Sequence, residues 1–106
     1  MLAPIIKNNI TQIKAICKDH KVKELYVFGS ATRRDYQFYS DIDLLVDFEK
    51  EEDNNEFTEN FFWFKEELLY TLKKPIDLLF YKKALKTRIK ESINKEKVLL
   101  YGRKTN

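Results

Sequence analysis

Apolar residues recur along this chain with two periods, and the switches between them predict its elements. Ile6, Ile10, Ile13 and Cys17 follow Pro4 at three- and four-residue steps, which predicts a helix from Pro4 to His20 with proline in its first turn. Glu24 to Phe28 is a short β-branched and aromatic run stopped at Gly29, the pattern of a strand entering a turn. From Asp41 to Phe48 the period becomes two, with Ile42, Leu44, Val46 and Phe48 on one face and Asp41, Asp43, Leu45 and Asp47 on the other. This is the second predicted strand. Glu49 to Glu56 is polar and acidic and reads as a loop. Phe57, Phe61, Phe64, Leu68 and Leu72 then restore helical spacing, a helix from Glu56 to Lys73 that Pro75 ends. Ile76 to Phe80 is a third strand, Ala84 to Lys95 a basic amphipathic helix with Leu85, Ile89 and Ile93 inward, and Val98 to Tyr101 closes the pattern before Gly102.

This order predicts an α+β (α/β) fold, a small mixed β-sheet with helices packed on it. The long helix between the second and third strands is a crossover that favours pairing them in parallel. If the first strand runs antiparallel to both, the Gly29-Ser30 turn, Asp41, Asp43 and Asp77 meet at one edge of the sheet. No repeat, linker or low-complexity tract interrupts residues 1–106, so a single domain is expected.

Composition narrows the chemistry. The 106 residues are 43% hydrophobic and 35% charged, as in a globular protein. No apolar run approaches the roughly 20 residues of a membrane span, and the N-terminal stretch lacks the pattern of a secretory leader, so a cytoplasmic protein is expected. One cysteine and one histidine exclude an internal disulfide and a His/Cys zinc cluster. Cys17, on the apolar helical stripe, is expected in the core. Any metal falls to carboxylates, whose hard oxygens suit magnesium or manganese.

The net charge of +3 hides an uneven distribution. Asp47 to Glu59 carries seven acids against Lys50, whereas Lys82 to Lys97 carries seven bases against Glu91 and Glu96. The basic stretch spreads its charge around a helix with few aromatic stacking groups, so a solvated face is expected and a nucleic-acid partner is not.

Asp41 and Asp43 stand two residues apart on a strand, so their carboxylates share a face about 6.5 to 7 Å apart along the backbone. They can reach one metal or bridge two. Asp47 shares the face but lies roughly 13 Å beyond Asp43, outside that coordination shell. Asp77 has the same setting on the third strand and is the expected third ligand. Gly29, one of only two glycines, sits where a phosphate needs close backbone approach.

Gly29-Ser30, ten residues, then Asp41-Ile-Asp43 within Ser40-Asp-Ile-Asp-Leu-Leu-Val46 resembles the signature of the minimal nucleotidyltransferase domains of the DNA polymerase beta superfamily. Pro75-Ile-Asp-Leu-Leu79 resembles the strand carrying that family's third carboxylate. The resemblance implies a polymerase beta-like palm in which Asp41 and Asp43 hold two Mg2+ ions and Asp77 completes the metal site and helps activate the acceptor hydroxyl. It also implies that Gly29, Ser30, Arg33 and Ser40 contact the nucleotide, which is ATP. Ala31 stands where a basic or aromatic residue is frequent in the family, and Arg34 where a glycine is frequent.

Family members of this size are antitoxins that silence HEPN-type ribonuclease toxins by transferring AMP from ATP to a toxin tyrosine, which implies a cognate HEPN toxin as partner. Trp63 and Tyr70 lie roughly opposite the apolar stripe of the long helix, a face for a homo-oligomer or hetero-complex. Two other functions fit the same residues: an antitoxin acting by occlusion with an idle site, and a stand-alone transferase acting on RNA or a small molecule.

Overall fold

A computed structural model describes residues 2–34, 36–37, 39–50 and 54–102. In chain order the elements are α1 (Pro4–Lys7), α2 (Ile10–Asp19), β1 (Val22–Phe28), a 3-10 turn (Gly29–Thr32), β2 (Ile42–Phe48), α3 (Asn55–Leu72), β3 (Ile76–Phe80), α4 (Tyr81–Ala84), α5 (Lys90–Glu96) and β4 (Val98–Tyr101). The four strands form one sheet in the order β3-β2-β1-β4. β1 is antiparallel to both β2 and β4, and β2 and β3 pair in parallel across the α3 crossover, as expected.

Strand parity assigns the two faces. Leu25, Val27, Ile42, Leu44, Val46, Phe48, Ile76 and Leu78 point into the main core, where α1, α2 and α3 bring Ile6, Ile13, Cys17, Phe64, Leu68 and Leu72. Phe48 anchors an aromatic cluster, edge-on to Phe57 and Phe64 at 5.4 and 5.7 Å between ring centroids. The other face is covered too: Leu45 packs with Ala84 and Ile93, flanked by Tyr26, Phe28, Leu79 and Tyr81. Hence β2 is buried on both sides although its sequence alternates.

Two expected helices are broken. The helix expected over Pro4 to His20 is interrupted at Asn8 and Asn9, where Asn9 Nδ2 donates 2.8 Å to the Ile5 carbonyl, a side-chain bond that competes with the helical ladder. The helix expected over Ala84 to Lys95 becomes α4 and α5. Between them Thr87 Oγ1 donates 2.7 Å to the Ala84 carbonyl, and of the expected inward residues Ile93 is buried, Leu85 half-buried and Ile89 exposed. The long helix lies close to its expected bounds. Asn54 caps it by accepting 2.8 Å from the Phe57 amide, and Lys73 ends it in the left-handed region at φ 54°. The loop expected over Glu49 to Glu56 contains residues 51–53, which lie outside those described.

Candidate active site

β1 ends at Phe28, whose Cα pairs with that of Asp43, and the chain then turns at Gly29 with φ +70°. Glycine is required there on two counts. An L side chain rarely adopts that φ, and a Cβ would lie 2.4 Å from Asp43 Oδ2. The Asp43 carboxylate therefore sits directly against the Gly29 backbone. Thr32 Oγ1 donates 2.7 Å to the Gly29 carbonyl, and the Arg33 amide donates 2.9 Å to the Ser30 carbonyl, which closes the turn.

The parallel pairing brings the second half of the site. The Ile42 amide donates 3.0 Å to the Pro75 carbonyl, and the next pairs put Asp43 beside Asp77 in register. Neighbouring strands lie about 4.8 Å apart, so two aspartates 34 positions apart in sequence project side by side from one face. Asp41 is exposed immediately before β2. Burial, followed by the charges of Asp77 and Asp41, pushes the half-buried Asp43 carboxyl above its usual range; the Arg33 guanidinium opposes this and Glu96 adds to it. As they stand, the side chains are not drawn into a single coordination sphere: among the described residues no three His, Cys, Asp or Glu side chains are close enough to hold one ion.

The remaining expected site residues fall around this edge. Ser30 is half-buried in the 3-10 turn. Arg33 Nη1 donates 2.7 Å to Glu96 Oε1 at the end of α5. Ser40 Oγ accepts 3.1 Å from the Gln37 amide, shaping the entry into β2. Ala31 is buried and its carbonyl accepts 2.9 Å from the Ala3 amide, so this position faces the core under α1. The Arg34 backbone does not enter the left-handed region that the family's frequent glycine would permit. Asp47 pairs with Glu24 and is buried, with Oδ1 lacking a hydrogen-bond partner among the described residues. Glu96 was not singled out by sequence, because no motif spacing links it to Arg33 across 63 residues.

Elsewhere, Cys17 is fully buried and burial pushes its thiol up to about 12, the setting of an inert core residue. His20 is clipped to α3, its Nδ1 2.9 Å from Asn60 Oδ1 while Asn60 Nδ2 donates 2.9 Å to the His20 carbonyl. On the outer face of α3, Phe62, Trp63 and Tyr70 are 52%, 58% and 82% exposed. No helix among the described residues is long and apolar enough to cross a membrane.

The family model described as polymerase beta, nucleotidyltransferase matches residues 11–106. A solved structure described as a minimal nucleotidyltransferase is similar at 26% identity and a TM-score of 0.71, over 92% of this chain and 95% of that one. A chain of a toxin-antitoxin complex with AMP-PNP is similar at 22% identity and a TM-score of 0.70, over 91% of this chain and 75% of that one. A chain in the complex of a tri-AMPylated Shewanella oneidensis HEPN toxin with an MNT antitoxin is similar at 24% identity and a TM-score of 0.64, over 92% and 72%. A search of curated proteins finds no match.

Proposed function

Because this chain belongs to the polymerase beta nucleotidyltransferase family, we propose that it is a single-domain, magnesium-dependent antitoxin of the cytoplasm that transfers AMP from ATP to a hydroxyl of a cognate HEPN-type toxin. The acceptor in this reading is a tyrosine. The observation that carries it is the pairing of Asp43 with Asp77 beside the Gly29-Ser30 turn, which gathers carboxylates and a close-approach backbone at one sheet edge. The fold likeness to chains of toxin-antitoxin complexes, one of them with an AMPylated toxin, supports the partner.

The donor set of carboxylate oxygens fits a hard divalent cation: burial, and after it the charges of Asp77 and Asp41, raise the proton affinity of Asp43, and a cation would remove that repulsion. When bound, such ions would neutralise charge on the attacking and leaving oxygens of an in-line displacement. Asp41, Asp43 and Asp77 would hold them. Asp77 would also draw the proton from the acceptor hydroxyl as its oxygen bonds to the α-phosphorus and the bond to pyrophosphate breaks. Gly29 lets the backbone approach the outer phosphates, Ser30 and Ser40 supply hydroxyls and Arg33 supplies charge. Incubating the chain with α-labelled ATP, Mg2+ and the HEPN protein encoded beside it should label that protein. An unlabelled partner in the presence of the wild-type chain would reject transfer.

The exposed aromatic face of α3 favours one second reading, neutralisation by occlusion with the nucleotide site idle. It predicts that Asp41→Asn with Asp43→Asn still protects against the toxin. A double variant that binds the toxin but no longer protects would exclude it.

A further inference from the structure

The residue that follows the phosphate turn is tied to the end of α5 by a side-chain contact. Arg33 directly follows the 3-10 turn, in extended backbone at φ −123° and ψ 164°, and its Nη1 donates 2.7 Å to Glu96 Oε1. The contact is partly sheltered, with side chains 47% and 32% exposed. The pair borders the carboxylate edge, because Arg33 directly follows the turn whose Gly29 backbone lies against the Asp43 carboxylate.

Glu96 is held on a firm frame. Three residues before Glu96, Ile93 is 2% exposed and packs on Leu45 and Ala84. One residue after it, Lys97 Nζ donates to Tyr81 Oη and to Asn94 Oδ1 at 2.5 and 2.8 Å and lies over the Tyr26 and Tyr81 rings. A carboxylate in the last turn of a helix opposes the helix dipole, so the stability of α5 does not account for an acid at this position. Fixing a long guanidinium side chain before a ligand arrives removes rotamer entropy that binding would otherwise cost.

We propose that Glu96 is a positioning residue for nucleotide binding: through its bond to Nη1 it holds the Arg33 guanidinium beside the Asp43 edge, where the charge meets a polyphosphate. This rests on reading the site as a nucleotidyltransferase site. Glu96 acts through Arg33, so it contributes only while Arg33 is present. The C-terminal segment α5 thereby becomes part of the nucleotide site, although the sequence motifs end at Asp77.

The test is a double-mutant cycle read by titration calorimetry with Mg2+ and α,β-methylene ATP, which cannot transfer AMP. Arg33→Ala should weaken binding about tenfold, the loss of a charged contact, and Glu96→Ala at least about threefold. Arg33→Ala with Glu96→Ala should bind no more weakly than Arg33→Ala alone, since one residue acts through the other. Glu96→Gln, which keeps an acceptor oxygen, should recover the greater part of the affinity. The reversed pair Arg33→Glu with Glu96→Arg should restore thermal stability without restoring binding, whereas a purely structural bridge would restore both. If Glu96→Ala does not fold, the reversed pair decides the question.

Multiplying effects in the cycle, or a Glu96→Ala variant that binds as tightly as wild type, would overturn the proposal and leave the transferase reading intact. Failure of the wild-type chain to bind the analogue would overturn both.

Discussion

Replacing Gly29 by alanine separates two costs that meet at one atom. The backbone cost comes from φ +70°, which places an L side chain in the left-handed region at about 1–2 kcal/mol. The contact cost comes from the added methyl, which would stand 2.4 Å from Asp43 Oδ2, 3.3 Å from Cγ and 3.5 Å from Cβ. The carboxylate is the end of a half-buried side chain and can rotate away, at about 0.5–1.5 kcal/mol for a displaced rotamer. Together they predict a loss of about 2 kcal/mol, which lowers Tm by roughly 8–16 °C in a domain of this size. Rotation would also carry Asp43 away from the Asp77 edge, so Mg2+-dependent nucleotide binding should fall further than stability does. Thermal unfolding of Gly29→Ala in wild-type and Asp43→Ala backgrounds, with nucleotide titration in parallel, measures each part. In the Asp43→Ala background only the backbone cost should remain. An equal Tm loss in both backgrounds would refute the contact, and an unchanged Tm in wild type would refute both costs.

The raised proton affinity of Asp43 gives a pH prediction with a definite sign. A carboxyl raised in the fold from its ordinary 3.8 contributes stability below that value and loses it as pH rises through the raised folded value. Metal-free Asp43→Asn should therefore melt above wild type at pH 7, with the gap closing near pH 3, and Mg2+ should narrow the gap at pH 7 by stabilising wild type. Phe64→Ala removes the largest fully buried side chain and should cost about 3–5 kcal/mol in urea unfolding, enough to unfold much of the population at 37 °C. Asn54→Ala removes the acceptor for the Phe57 amide and should cost about 1 kcal/mol by the same measurement, without altering nucleotide binding.

Local rules carried far where one face of an element met one core. Alternation from Ile42 to Phe48 separated the core residues from Asp41 and Asp43, and the stripe Phe57, Phe61, Phe64, Leu68 and Leu72 located α3, because burial on one side imprints its period on the sequence. The rules failed where a short polar side chain captured a helix carbonyl. Asn9 and Thr87 each offer the backbone an alternative bond, and hydrophobic periodicity runs across the resulting break without registering it. Ile89 kept its period and lost its burial for that reason.

By itself the sequence determined the first three strands, the long helix α3, the turn at Gly29 and the spacing of Asp41 from Asp43, because each follows from backbone geometry over a few residues. Only the tertiary structure decided that Asp77 stands in register with Asp43, that the Gly29 backbone lies against the Asp43 carboxylate and that Glu96 holds Arg33. Those contacts join residues 14 to 63 positions apart, and no local period encodes them. Strand pairing and helix docking bury the apolar faces first, and the distant polar groups meet where that packing leaves them.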